Sequence, residues 1–168
     1  MTSVEELRAV QAPLKERYRA DPASAVTPVH ASGDFSGPGI TCTVSSYAGP
    51  VRAGLHRATG GDGSDACSGD MLLEALVACA GVTCRSVATA MSVRFASGSV
   101  TAESTFDARG TLGIDRSVDV GVARIRLTIA LDTEADEATL SKLGQLTERY
   151  CVVGRSLREP PEIVVRRA

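Results

Sequence analysis

The sequence predicts an α+β fold in which antiparallel strands surround one long apolar helix. Three observations lead there. Period-two alternation recurs on both sides of residue 70, one helix-length run is apolar on nearly every side, and the elements follow the order strands, helix, strands, helix, strand. Runs of strands interrupted by only two helices fit this class better than a doubly wound parallel sheet, where strands and helices alternate.

Taking the elements in order, Val4, Leu7, Val10, Leu14 and Tyr18 recur at three- and four-residue intervals, with Ser3 placed to cap the helix and Pro22 just beyond its end. This predicts a helical arm over residues 1–25, ahead of a domain over residues 26–168. Ile40, Cys42 and Val44 alternate with Thr41, Thr43 and Ser45 as in a half-buried strand, and Gly49-Pro50 reads as a turn before Val51 to Leu55 continues the sheet. Gly60 to Asp65 reads as a loop. From Asp70 to Met91 the chain is apolar around the helical circumference, interrupted by Glu74 and Arg85, so this helix is expected to be buried on most sides, with Ser68 or Asp70 as its cap. Val100 to Arg109 and Arg124 to Leu131 alternate strictly and predict an antiparallel neighbour pair. Leu140, Leu143, Leu146, Tyr150 and Val153 mark a second helix, opened by the acidic Asp132 to Glu137 segment. Pro160-Pro161 closes it before a last strand from Glu162 to Arg166.

Composition narrows the function classes. The 168 residues carry 18 basic and 20 acidic side chains, a net charge of −2, which supplies no cationic field for nucleic acid or an anionic membrane. No run is expected to reach the roughly 20 apolar residues that span a bilayer, and the first residues lack the apolar core of a secretory signal, so a cytoplasmic location is expected. Aromatic residues make up only 4%, without tryptophan, too few for a base-stacking surface. No P-loop, G-x-S-x-G elbow or H-E-x-x-H motif occurs, and the loose G-x-G-x-x-A match at Gly61 to Ala66 follows no apolar strand. His30 and His56 have no second ligand at metal-like spacing, so no metal or other cofactor is expected and both read as surface or hydrogen-bonding residues.

Cysteine is the informative residue type. Cys42, Cys67, Cys79, Cys84 and Cys151 contain no C-x-x-C, and in a reducing compartment five cysteines do not make a structural disulfide framework. Cys42 falls on the apolar face of its strand and reads as packing; Cys67 precedes the central helix without a spacing that demands a role. Cys79 and Cys84 are five apart, about 140° around a helix, and do not share a face. Cys79 sits among Ala78, Ala80 and Gly81, small residues that let a backbone or substrate approach its sulfur, although spacing alone equally describes a core cysteine. Cys151 lies late in the second helix beside Arg149 and Arg155, cations of the kind that lower a thiol pKa. Two cysteines on two buried helices are candidates for a spatial pair.

Ser68-Gly69-Asp70-Met71-Leu72-Leu73-Glu74-Ala75-Leu76-Val77-Ala78-Cys79-Ala80-Gly81, followed by Glu148-Arg149-Tyr150-Cys151-Val152-Val153 and a closing strand, resembles the OsmC/Ohr family of thiol-dependent peroxidases. The resemblance implies an intertwined α+β homodimer with the two central helices packed at its core. It implies a peroxidatic Cys79 and a resolving Cys151, completed by an arginine and a carboxylate that activate the thiolate. Asp70 stands near the family's usual carboxylate position, Arg52 and Arg57 are the arginines available ahead of the helix, and Val152 stands where the family often has proline. The implied partners are a small organic hydroperoxide, favoured by an apolar lining from Leu72, Leu76, Val152 and Val153, and an external dithiol that regenerates the thiols. A non-catalytic protein of the same fold, binding a small apolar ligand or sensing redox state, is the alternative that the same residues allow.

Overall fold

The structure is a computed structural model and describes residues 3–168. Helix α1 (Val4–Ala20) opens on a capping box, Ser3 Oγ accepting the Glu6 N–H at 3.0 Å while Glu6 Oε2 accepts the Ser3 N–H at 2.7 Å. It buries no residue fully and leans on the central helix.

A four-stranded sheet follows in the order β1 (Gly33–Asp34), β2 (Thr41–Ser46), β3 (Gly49–Gly54) and β4 (Ala66–Cys67). The turn between β2 and β3 is at Tyr47-Ala48 rather than Gly49-Pro50, because Ser46 pairs with Gly49 and Pro50 already lies opposite Ser45. Tyr47 and Ala48 keep negative φ, and Gly49, at φ +124°, takes up the twist that carries the chain into β3. Both short outer strands, β1 and β4, escape period-two analysis because two residues carry no alternation.

Helix α2 (Ser68–Ala90) starts earlier than Asp70, and its cap is Cys67, which makes no side-chain capping bond. Ser68 and Asp70 lie inside its first turn, so neither expected cap holds that place. Within one chain α2 is buried along a single stripe, Leu76, Ala80, Cys84 and Ala88, four residues apart, rather than on most sides. Ala75, Ala78 and Val82 are exposed, Val82 at 73%. Its 23 residues are long and apolar enough to cross a bilayer by length and composition, contrary to the expectation that no run would be. The fold instead packs α2 against the second sheet and the later helices.

That second sheet has the order β5 (Gly98–Phe106), β6 (Val122–Leu131) and β7 (Glu162–Arg167), with the short helix α3 (Ala108–Thr111) between β5 and β6. β5 and β6 pair antiparallel as expected, with Ile125, Leu127, Ile129 and Leu131 turned inward on alternate positions. β7, however, pairs with β6 in parallel, and β4 with β3 likewise, so both sheets are mixed. The chain between β6 and β7 forms helices that carry it back across the sheet, which brings the last strand in at the same end as β6. The pairing of β5 and β6 skips at a bulge where Arg124 and Ile125 face the single residue Ser104, and Arg124 adopts φ +51°.

The second predicted helix is two helices, α4 (Glu137–Tyr150) and α5 (Val152–Ser156), separated by Cys151 in extended conformation. Asp136 caps α4 through Thr139, and Leu140 and Leu143 join the stripe of α2 and the inner face of β6 in one core. Cys151 is therefore the joint between two helices, not a residue late in one.

Candidate functional site

The joint at Cys151 is built from its own backbone. The Cys151 N–H donates to Thr147 O at 2.9 Å, ending α4, and its Sγ accepts the Gly154 N–H at 3.4 Å, starting α5. Gly154 fits closely there, since a Cβ would lie 3.3 Å from Cys151 Sγ, a tight approach, and 3.5 Å from Leu76 Cδ1, an ordinary contact. The absence of a side chain at Gly154 lets α5 pack close to α2 near Leu76, one turn before Cys79.

This docking brings the two sequence-predicted cysteines together, both as free thiols. Cys79 is half-buried and Cys151 fully buried. Burial pushes the Cys79 thiol up, but the Val153 N–H, the Cys151 thiol, the Thr83 hydroxyl and the Val152 N–H together overcome it and hold Cys79 below the ordinary thiol value. Burial raises Cys151, the Gly154 N–H opposes that, and Cys79 pushes it further up. Two thiols in contact are thus driven apart in acidity, Cys79 downward and Cys151 upward in pKa. Coupled sites titrate as a pair, so these directions describe the order in which protons leave. Arg149 and Arg155, the cations expected to act on Cys151, are not among the groups that do so.

The remaining predicted residues gather elsewhere. Arg52 Nε donates to Asp65 Oδ1 at 2.5 Å, and Gly54 makes room for that carboxylate, since a Cβ there would meet Asp65 Oδ2 at 2.7 Å. Arg57, Asp65, Asp70 and Glu74 line a cavity of about 290 Å³ with His56 and Cys67. Asp70 is nine residues before Cys79 on the same helix, about 13 Å along its axis. Within one chain, no group of this arginine–carboxylate cluster acts on the Cys79 sulfur. Leu76, expected to line a substrate path, is fully buried in the core; Leu72 and Val152 are exposed and Val153 half-buried.

Three groups at the thiol were not singled out from the sequence. Thr83 could have been, as the residue one turn beyond Cys79 on the same face. The Val152 and Val153 amides could not, because they become available only through the helix break. Cys84 is a core residue: burial raises its thiol, partly offset by the Thr147 hydroxyl. His56 accepts the Ala58 N–H on Nδ1 at 3.0 Å and packs edge-on against Phe106 at 5.1 Å, while His30 is exposed.

The profile of one protein family, described as OsmC-like protein, matches residues 61–166. An OsmC-like protein from Mycoplasma pneumoniae superposes with a TM-score of 0.67 at 14% identity, over 84% of this chain and 99% of that one. An organic hydroperoxide resistance protein from Elizabethkingia anophelis gives 0.66 at 12% identity, over 86% and 97%. The organic hydroperoxide resistance protein OhrB of Bacillus subtilis gives 0.57 at 15% identity, over 83% and 98%. No curated protein sequence matches the chain. At these identities the superpositions establish a shared fold.

Proposed function

Since the chain belongs to the family of OsmC-like proteins, we propose that it is a cysteine-based peroxidase that reduces organic hydroperoxides, with Cys79 attacking and Cys151 resolving. The observation that carries this reading is the pair itself: a half-buried thiol whose acidity is raised by neighbouring amides, in contact with a buried thiol whose acidity is lowered. A thiolate is the form that attacks a peroxide, and the Val152 and Val153 amides stabilise it without a metal or a flavin.

The steps follow from that polarity. The Cys79 thiolate attacks the terminal oxygen of R–O–O–H, an S–O bond forms, the O–O bond breaks, and the alkoxide takes a proton and leaves as alcohol. Cys151 then attacks the Cys79 sulfenic acid; an S–S bond forms, the S–O bond breaks, and the departing hydroxide takes the Cys151 proton as water. An external dithiol is oxidised to its own disulfide as it returns both cysteines to thiols. The Arg52, Arg57, Asp65 and Asp70 cluster at the far end of α2 reaches a Cys79 only if a second copy of the chain supplies it, so the reading includes a homodimer.

The test is consumption of cumene hydroperoxide with dithiothreitol, followed with mass spectrometry of the protein. Cys79→Ser is expected to abolish turnover, and Cys151→Ser to react once and stop with Cys79 as a sulfenic acid that advances to sulfinic acid in excess peroxide. Undiminished turnover by Cys79→Ser sinks the assignment. One equivalent consumed by the unaltered protein, with no turnover despite the dithiol, identifies a sensor instead.

A further inference from the structure

A cavity of about 650 Å³ lies away from the cysteines. It lies where the bulge of β6 faces the end of α5, and its apolar wall is formed by Leu72, Val122, Ile125 and Leu157. Its volume is in the range of small-molecule sites, about 300–1,000 Å³.

Arg124 lines this cavity and is the bulge residue at φ +51°. Glycine is the residue suited to that left-handed position, and any side chain there is held at a conformational cost. The bulge is fixed independently of the arginine, because Ser104 Oγ–H donates to Ala123 O at 2.8 Å across the mispaired step. An arginine kept where backbone geometry favours glycine is a strained residue beside a cavity, the combination in which strain accompanies a function of the side chain.

Two of the charged residues around it are committed to ion pairs. Glu162 is paired with Arg126 at 3.1 Å, and Arg158 with Asp119 at 3.3 Å. Among the described residues, Arg124 has no carboxylate within ion-pair distance. Glu159 also lines the cavity and is likewise unpaired, but it is carried on unstrained backbone. An apolar wall with one uncommitted guanidinium matches a molecule that has an aliphatic body and one carboxylate, which a guanidinium holds through two parallel N–H···O bonds.

We propose that this cavity is a binding site for an amphipathic carboxylate, with Arg124 binding the carboxylate and Leu72, Val122, Ile125 and Leu157 covering the aliphatic chain. The site uses neither cysteine and stands whether or not the protein turns over peroxide.

Isothermal titration of the full chain with decanoate tests it, with decanol as the uncharged control. Saturable binding of decanoate is expected, with decanol at least about 10-fold weaker, the loss expected for a charge-assisted hydrogen-bonding partner. Arg124→Gly is expected to weaken decanoate by about 10-fold or more while keeping or raising the melting temperature, because it relieves the left-handed strain. Arg124→Met, which keeps the aliphatic stem and removes the charge, is expected to weaken decanoate equally and so covers the case of a bulge disturbed by glycine. Glu159→Gln is expected to tighten binding by removing a like charge. Equal affinity for decanoate and decanol, unchanged affinity in both Arg124 variants, or no saturable decanoate binding overturns the proposal.

Discussion

At the scale of single residues, Cys79 and Cys151 show how much a few backbone hydrogen bonds decide. The groups that lower Cys79 include Cys151 itself, so replacing Cys151 with Ala should move the Cys79 titration upward, toward that of an ordinary thiol. Iodoacetamide labelling of Cys79 against pH measures this: the midpoint should lie below the ordinary value in the unaltered protein and rise in Cys151→Ala. A midpoint that stays put removes the hydrogen-bonded pair from the account. A second residue-scale expectation concerns Asp107, whose carboxyl is lowered to about 2 by the Arg109 side chain and backbone N–H. A folded value below the unfolded one, about 3.9, means that this bond stabilises above the unfolded value and loses its effect as pH falls through the folded one. Urea unfolding should therefore show Asp107→Asn less stable than the unaltered protein near pH 6, with the difference shrinking as pH falls below the unfolded value toward about 2. The two cysteines could be found in the sequence because their neighbours are distinctive. Their acidity difference could not, because it depends on amides at a helix break, and an amide carries no residue identity.

At the scale of elements, alternation and three-to-four-residue spacing placed α1, β5 and β6 within a few residues, because each carries a regular apolar period over at least nine residues; β2 was found by its alternation although Ile40, expected on its apolar face, is exposed and lies outside it, and β7 by the Pro160-Pro161 break before it. What escaped were the two-residue strands, the partition of α4 from α5 and the parallel entry of β7, all set by what the chain meets in space. Helix ends offer tests of this account. Cys67 caps α2 without a side-chain bond, so Cys67→Ser supplies the missing acceptor and should stabilise the protein by about 0.5–1 kcal/mol. Gly144 is buried inside α4, and an added Cβ would sit 3.5 Å from Val165 Cγ2, in ordinary contact. Gly144→Ala should accordingly stabilise by a similar amount. Gly61→Ala is the contrasting case, since its Cβ would collide with the Leu55 carbonyl oxygen. Denaturant midpoints rank the three; a Gly144→Ala variant less stable than the unaltered chain would show that α4 and β7 pack more tightly than these distances imply.

At the scale of the whole molecule, burial is lopsided. The core joins α2, α4, β6 and β7, whereas α1 and β1 to β3 contain no fully buried residue, and α2 leaves Val82 open to solvent. We read this as a surface that a second copy covers, and expect sedimentation to show a dimer at micromolar concentration. Val82→Glu should divide it with little change in the fold of each chain, because a charge is tolerated at an open helix position and costly in an apolar interface. A stable 17.4 kDa monomer of the unaltered chain would remove the dimer. The α+β class was legible because it rests on local periodicity, and an apolar circumference larger than one sheet and one other helix can cover already pointed to an uncovered face of α2; which surface covers it was not legible, since an all-round apolar helix does not name its neighbour. The parallel entry of β7 has a consequence for synthesis. Cys151 reaches Cys79 only once the α4–α5 crossover is docked, and that docking is secured when β7 closes against β6. On the ribosome, Cys79 emerges first and waits without its partner until the strand after Cys151 has been made. During that interval Cys79 also lacks the Val152 and Val153 amides that lower it, so on the proposed mechanism the chain acquires its reactive thiolate and the thiol that resolves it in one step, and an unfinished chain does not present the activated cysteine without its partner.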